Sequence, residues 1–276
     1  LAAAALARAY GVGPLAVRDG LRSFRPDAHR IAEVATVEGV LFVDDSNTGS
    51  LVTIQGNRVG TNPAGTAAIP NVFGVAIWDA DTVLVGTDVD GSQDAAEGNL
   101  ISGNTDTGLW VRQLSFSQSE DATIAGNLIG TNLAGDRAIP NGVGIKLDRL
   151  RNGSWTVGSS QAAGRNLISG NTGDGIRVDS ADNGGPVTVI GNLIGTAADG
   201  VTPLGNGGSG VNGVVSRPPV IVGGTGAGQG NTIRHNGGSG VFSSRRTLVR
   251  GNSIDQNGDR GIRLTFANTN DLNDVD

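Results

Sequence analysis

The sequence has no cysteine and no methionine, a single lysine, and only three Trp, one Tyr and six Phe among 276 residues. The absence of cysteine excludes disulfides, thiolate metal sites and thiol nucleophiles. No apolar run reaches the roughly 18 residues that a membrane-spanning helix needs. The net charge is −6 and no basic stripe is present, which argues against nucleic acid and anionic membranes as partners.

Glycine is abundant by contrast, and 46 Gly with 9 Pro make up about a fifth of the chain. Many of them lie in a repeat in which an Asn preceded by Gly or Arg is followed, two positions later, by Ile or Val. Each unit of such a repeat can bury its apolar face only against the next unit, so the repeat decides the architecture. The repeated Asn residues are Asn57, Asn99, Asn127, Asn166, Asn192, Asn231 and Asn252.

Each repeat contains three short β-branched segments, as in 175–178, 187–190 and 191–194, separated by turns rich in Gly, Asn, Asp and Ser. The shortest step between repeated Asn residues is 21 positions, from Asn231 to Asn252. The pattern predicts a mainly β fold, a right-handed parallel β-helix of about six coils with strands about 4.8 Å apart. We expect the Ile or Val after each Asn to point inward and the Asn side chains to bond one another between coils.

Loops of equal length follow every second coil. After Val59, Ile129 and Ile194 the chain reads TNPAGTAAIPN, TNLAGDRAIPN and TAADGVTPLGN, whereas the coils between them continue with SGN, SGN or RHN. The unit of the repeat is therefore a pair of coils, as tandem duplication would produce.

The motifs NLIGTN and NLISGNTGDGI resemble the right-handed parallel β-helix repeats of large bacterial secreted and surface proteins. The resemblance runs from about residue 51 to 276, and we assign 48–276 to the β-helix. It implies an extracellular or cell-surface segment with a structural or binding role, contacting polysaccharide or surface components, as a monomer or part of a larger chain. The resemblance leaves open whether the chain is an enzyme and favours a role without catalysis. The alternative is a polysaccharide lyase or glycoside hydrolase of β-helix type, favoured by three carboxylates clustered on one strand face.

Residues 1–47 have a different pattern. Leu1–Tyr10 is Ala-rich and helical in propensity, Pro14 suits the start of a second helix, and Ile31–Val37 with Val40–Val43 form a hairpin signal. The stretch from LAAAALARAYGVG to VLFVDDS resembles the UDP-N-acetylmuramoyl-alanine:D-glutamate ligases of peptidoglycan synthesis over about the first 46 residues. Because the chain begins without Met, we expect it to be an internal part of a longer product.

The ligase pattern breaks off after Asp45 and Ser46, where Asn47 replaces the Lys of that family. ATP binding needs a Gly-rich turn that ends in Lys-Ser/Thr, and the one lysine, Lys146, follows Ile145 within the repeats. The second alternative is therefore an inactive ligase fragment fused to unrelated repeats. Because residues 39–57 align with 175–192, we hypothesise that two coding segments were joined there, naturally or during sequence assembly.

Two acidic segments offer oxygen ligands at short spacing, which suits a hard cation, so calcium is the cofactor that the sequence leaves open. The first contains Asp88, Asp90 and Asp94, and the second contains Asp271, Asp274 and Asp276. Solvated acidic loops are the competing interpretation of both segments.

Other candidate motifs have simpler explanations in the repeat. The Gly-rich segment 220–231 lacks dinucleotide-binding spacing and is expected to be a turn between coils. Asn104-Thr105-Asp106 resembles one polygalacturonase motif, but neither His29 nor His235 fits the rest of that pattern. The three tryptophans are either a sugar-stacking platform or separate surface and core aromatics; they are Trp78, Trp110 and Trp155.

Overall fold

The computed structural model describes residues 36–37, 40–44, 51–78, 80, 82–112, 121–149, 153–179, 185–213, 219–244 and 247–265, with side chains from residue 52 onward. Strands dominate these residues. The helical elements among them are one short α-helix, α1 (Asp94–Glu97), and one 3₁₀ turn (Ala162–Gly164). No helix in this part of the chain has the length and apolar character that a membrane crossing requires.

Three sheets run along the molecule, and each winding of the chain adds one strand to each sheet. The first sheet contains β1 (Thr36–Val37), β2 (Val40–Asp44), β5 (Val75–Trp78), β8 (Thr107–Arg112), β11 (Val143–Asp148), β14 (Ile176–Val178), β17 (Val211–Gly213), β20 (Val241–Ser243) and β23 (Ile262–Leu264). The second contains β3 (Leu51–Ile54), β6 (Thr82–Gly86), β9 (Asp121–Ala125), β12 (Trp155–Gly158), β15 (Val187–Ile190), β18 (Val220–Val222) and β21 (Thr247–Val249). The third contains β4 (Arg58–Val59), β7 (Leu100–Ile101), β10 (Leu128–Ile129), β13 (Leu167–Ile168), β16 (Leu193–Ile194), β19 (Thr232–Arg234) and β22 (Ser253–Asp255).

These parallel sheets confirm the predicted mainly β fold of β-helix type. The described residues form seven three-strand coils, and β23 begins an eighth. The count exceeds the expected value by one because β2 lies parallel to β5 and starts a coil before residue 51. β1 and β2 pair antiparallel at Val37 and Val40, which confirms the hairpin there. The two predicted helices and residues 31–35 lie outside the described residues, and the boundary between 47 and 48 stays a prediction.

Aliphatic side chains fill the interior in stacked columns. In the third sheet the Ile that follows each repeated Asn lies level with its counterparts above and below. In the interior coils these side chains are fully buried: Ile101, Ile129, Ile168, Ile194 and Ile233. Val59 in the first coil and Ile254 in the last three-strand coil pack against the same core but are partly buried. The predicted inward column is confirmed, and its burial is lower at both ends.

The seven repeated Asn residues form the predicted ladder at the bend between the second and third sheets. In each rung the Nδ2 atom of one Asn donates to the Oδ1 atom of the Asn in the next coil, over 2.8–3.0 Å from Asn57 to Asn252. The backbone N–H of each Asn donates to the same Oδ1. The interior amides from Asn99 to Asn231 are thus satisfied where they are buried and where an unpaired polar group would be costly.

A second Asn ladder runs along the bend between the third and first sheets. Its rungs of 2.8–3.1 Å join Asn71, Asn104, Asn141, Asn171, Asn206, Asn236 and Asn257. The sequence showed that Asn104, Asn171, Asn236 and Asn257 match one another but did not reveal a continuous ladder. Two columns of amides therefore fix the stacking of the coils at two of the three corners.

The three equal loops lie on the outer side of the third sheet and stack on one another. Each is a small hairpin closed by a bridge: Thr61 with Ala68, Thr131 with Ala138 and Thr196 with Pro203. The Leu133 N–H donates to the Gly65 carbonyl over 3.0 Å, and the Ala198 N–H donates to the Gly135 carbonyl over 2.9 Å. A Cβ at Gly65, where φ is +66°, would lie 2.9 Å from the Leu133 Cβ, so this close stacking requires glycine. Loops of alternate coils thereby cover the third sheet.

Candidate binding face on the first sheet

The outer faces of the three sheets differ in chemistry. In the third sheet, Leu100, Leu167 and Leu193 are buried beneath the stacked loops. The outward row of the second sheet is uncharged: Thr53, Leu84, Thr123, Thr156, Thr188, Ile221 and Leu248. The outward row of the first sheet, which we call the central column, is aromatic and basic: Ala76, Trp110, Lys146, Arg177, Asn212, Phe242 and Arg263. Aromatic and basic side chains are therefore concentrated on the outer face of the first sheet.

An aromatic cluster occupies one end of this face. Trp110 lies 5.1 Å from Phe73 and 5.7 Å from Trp78 between ring centroids. Lys146 Nζ lies 4.8 Å from the Trp110 ring centroid, and the guanidinium carbon of Arg112 lies 5.6 Å from it. Cations at these distances are attracted to the face of an indole ring. Trp110 is consequently only 8% exposed, and it holds two basic side chains above its ring.

Carboxylates beside the central column pair with its basic groups. Asp148, two positions along β11 from Lys146, lies 3.4 Å from Arg112 Nε. Asp179, which follows β14, accepts a 2.7 Å hydrogen bond from Arg177 Nε and lies 3.5 Å from Lys146 Nζ. The hydrogen bond to Asp179 raises the pKa of Arg177 above its usual value. The face thus carries fixed cations with hydrogen-bond acceptors next to them.

The far end of the face repeats the pairing of a cation with an aromatic ring. The guanidinium carbon of Arg263 lies 5.3 Å from the Phe242 ring centroid, and its Nη1 lies 3.3 Å from Asp259 Oδ2. Between the two ends, Asn212 Nδ2 donates to Asp174 Oδ2 over 2.8 Å. Polar and aromatic groups therefore continue along most of the described length of the sheet.

The tryptophans are divided between this face and the interior. Trp78 and Trp110 lie side by side on the first sheet, whereas Trp155 lies on β12 and is buried in the core at 1% exposure. A platform of all three tryptophans is therefore wrong. The alternative, separate surface and core aromatics, holds for Trp155, because its strand position faces inward between Ala122 and Val187.

The first acidic segment forms a tight loop between β6 and β7. One oxygen each of Asp88, Asp94 and Glu97 lies within 4.8 Å of the others, so Glu97 joins the group that the sequence had assigned to Asp88, Asp90 and Asp94. Asp90 instead accepts a 2.6 Å hydrogen bond from the Ser92 N–H. Calcium binding here stays a prediction. The second segment, with Asp271, Asp274 and Asp276, lies outside the described residues.

The remaining motifs take the structural roles expected of them. The Gly-rich segment 220–231 is a strand followed by a turn that leads into β19, and Gln229 Oε1 accepts from the Gly226 N–H within it. Asn104 belongs to the second ladder. The half-buried His235 has Nε2 3.3 Å from the Val201 carbonyl oxygen, and His29 lies outside the described residues. Lys146 lies on β11 and not in a phosphate-binding turn.

Among the described residues, the carboxylates give no support to the hydrolase alternative. The three that lie together, Asp88, Asp94 and Glu97, belong to a connecting loop and not to a strand face. On the first sheet, Asp148 and Asp179 lie in neighbouring coils, and each is paired with basic side chains. A glycosidase needs one carboxyl group that can donate a proton as well as one that acts as nucleophile or base, and two ion-paired carboxylates do not suit that division of roles.

Comparisons with known proteins find similarity to one enzyme class over part of the chain. The UDP-N-acetylmuramoylalanine--D-glutamate ligase of Streptomyces avermitilis is 48% identical over 90 residues, that of Thermobifida fusca 47% over 91, and that of Streptomyces coelicolor 47% over 90. No family model matches, and no solved structure gives a significant match. Each match covers 33% of this chain and 17% of the ligase, so the chain is similar to about a sixth of those enzymes' length.

Proposed function

We propose that the chain joins an inactive ligase-like segment to a β-helix that serves as a rigid binding scaffold. The scaffold belongs to a bacterial secreted or cell-surface protein and contacts polysaccharide through the outer face of the first sheet. Two Asn ladders and a continuous aliphatic core support a rigid rod, because each coil is fixed to the next at its corners and interior. Rigidity of this kind favours binding, since little conformational freedom is lost when a ligand is ordered on it.

The observation that carries the proposal is the contrast between the first sheet and the other two. Aromatic rings, basic groups and acceptors lie in register on its outer face, from Trp110 on β8 to Arg263 on β23. Such a combination suits sugars, whose apolar ring faces pack on partly exposed aromatics such as Trp78 and Phe242 and whose hydroxyls pair with charged or amide groups. Among the described residues, the uncharged outward row of the second sheet and the third sheet, where loops cover Leu100, Leu167 and Leu193, offer no comparable set.

The lysine content supports the proposed absence of ligase activity. A phosphate-binding turn needs a lysine, and the only one, Lys146, is held between Trp110 and Asp179 on a strand. We expect no ATP-dependent phosphate release when the chain is supplied with UDP-N-acetylmuramoyl-alanine, D-glutamate and ATP, while a full-length ligase gives signal in parallel. Phosphate release that depends on D-glutamate would refute this half of the proposal.

Intrinsic fluorescence tests the binding half, because Trp110 and Trp78 lie on the proposed face. We expect titration with a panel of soluble polysaccharides to change the emission for at least one of them. Trp110→Phe and Trp78→Phe should reduce the change, whereas Trp155→Phe in the core should leave it intact. If none of the polysaccharides changes the tryptophan emission of the folded protein, the scaffold does not bind glycans.

A further inference from the structure

Four basic side chains on the first sheet form what we call the cation row: Arg112, Lys146, Arg177 and Arg263. Lys146, Arg177 and Arg263 belong to the central column, and Arg112 lies beside them, level with Asp148. Neighbouring strands of a sheet are about 4.8 Å apart, so Lys146 and Arg263, four strands from each other, are separated by about 19 Å. All the charges of the central column are positive, although the chain as a whole carries −6.

Each member of the row is held in place by a ring or a carboxylate. Lys146 and Arg112 lie over Trp110, and Arg263 lies over Phe242. Arg177 is anchored by its Nε atom on Asp179, and among the described residues its terminal Nη nitrogens have no hydrogen-bond partner. Side chains that are already fixed lose little conformational entropy when they bind an anion.

Two buried donors in the aromatic cluster are also unsatisfied. Within the described part of the chain, Trp110 Nε1 and Arg112 Nε have no hydrogen-bond partner although both atoms are buried. The Arg112–Asp148 pair, at 3.4 Å, is a long contact for a charged pair. Buried donors without acceptors cost free energy in the free protein, and a ligand at this end of the row can supply acceptors to them only if the side chains above them move.

Carboxylates beside the cation row determine which kind of polyanion the row can bind. Asp148, Asp179 and Asp259 lie next to the cations. Double-stranded DNA carries one negative charge per roughly 1.7 Å of axis, so it would bring phosphates against these carboxylates. A polysaccharide with one carboxylate per sugar still carries charge more sparsely than DNA, and its hydroxyls can donate to the same aspartates and to Asn212.

We infer that the cation row binds the carboxylate groups of a linear acidic polysaccharide that lies along the axis of the β-helix. The inference rests on the proposed function and deepens it by assigning the ligand a charge and a direction. The row is linear and in register from coil to coil, so an extended polymer meets one central-column side chain per coil. Longer oligosaccharides engage several members at once and bind more tightly through effective concentration.

The test uses alginate and carboxyl-reduced alginate, in which each carboxylate has become a hydroxymethyl group, with affinity measured by calorimetry in calcium-free buffer. We expect alginate to bind at least about tenfold more tightly than the reduced polymer, and its affinity to fall with added salt. Lys146→Gln and Arg177→Gln should each weaken alginate binding by about fivefold. Arg137→Gln is the matched control, because Arg137 is an exposed arginine in a stacked loop on the third sheet.

The outcomes separate this inference from the proposed function. Equal binding of the two polymers would overturn the carboxylate assignment and leave a neutral-glycan scaffold standing. Failure of both polymers, together with the whole polysaccharide panel, would overturn both proposals. Competition by single-stranded DNA as strong as that by alginate would show a general polyanion site and overturn the assignment to a polysaccharide. Circular dichroism of each variant checks that a lost affinity does not reflect a lost fold.

Discussion

Ile168 in an interior coil is fully buried, whereas Ile254, at the equivalent position of the last three-strand coil, is only partly buried. The first sheet shows the same contrast, since Val241 is 1% exposed and Ile262, level with it on β23, is 46% exposed. Equivalent residues of one repeat therefore differ in how much apolar surface they remove from water. In a solenoid each coil is stabilised only by its neighbours. The contribution of a residue to the free energy of unfolding therefore depends on its position along the rod.

The same contrast divides the proposed binding face. Lys146 and Arg177 lie on interior strands of the first sheet, and Arg263 lies on β23, where the flanking side chains are exposed. A cation on a well-packed strand is positioned more firmly than one on β23, which among the described residues pairs with β20 alone. We therefore expect the interior part of the row to dominate affinity and the last coil to add length.

The prediction with the largest expected effect truncates a buried isoleucine of the core. Ile168→Ala should lower the free energy of unfolding by about 2–5 kcal/mol, because it leaves a cavity among fully buried neighbours. Ile254→Ala is the matched change in the last coil and should cost clearly less, since its side chain is already partly solvated. Urea unfolding followed by circular dichroism measures both. Equal losses would contradict the contrast between interior and end.

A smaller effect is expected from the first Asn ladder. Asn166 and Asn252 each take part in four side-chain hydrogen bonds. Asn166→Ala leaves buried groups unsatisfied and should cost about 1–3 kcal/mol for each group that water does not reach. Asn252→Ala breaks as many bonds, but Asn252 is partly exposed, so water can replace them. The same urea experiment should rank Asn166→Ala well above Asn252→Ala, and the reverse order would show that ladder bonds act independently of burial.

The sequence predicted the parts of this structure that depend on spacing along the chain. The first ladder, the inward Ile column and the three loops of equal length were all visible because Asn57 and its counterparts recur with the same neighbours. The second ladder was not, because Asn141 follows Pro140 whereas Asn206 follows Gly205 and Asn171 follows Gly170, so no common motif marks it. These residues meet only after loops of different length have closed.

The binding face depends on register and could not be read from spacing. Trp110, Lys146 and Arg177 are 36 and 31 positions apart in sequence, and only the strand pairing shows that they lie level with one another. Trp155 was equally ambiguous, because a strand position two residues from a turn can face either side. The direction of each side chain follows from the alternation of the strand once its register is known.

The smallest expected effect concerns acid sensitivity of the last coil. Ser239 Oγ donates to Asp259 Oδ2 over 2.8 Å, and this hydrogen bond, with Arg260 and Arg263 nearby, holds the pKa of Asp259 below its usual 3.8. Because the pKa of Asp259 is lower in the folded state, the contact stabilises the fold at a pH above the pKa of the unfolded state. This stabilisation is lost as the pH falls through the pKa of the folded state. Carbon-detected NMR titration should show the Asp259 pKa rising towards 3.8 in Ser239→Ala. If the pKa of Asp259 is unchanged in that variant, Ser239 does not tie the last coil to its neighbour through this carboxylate.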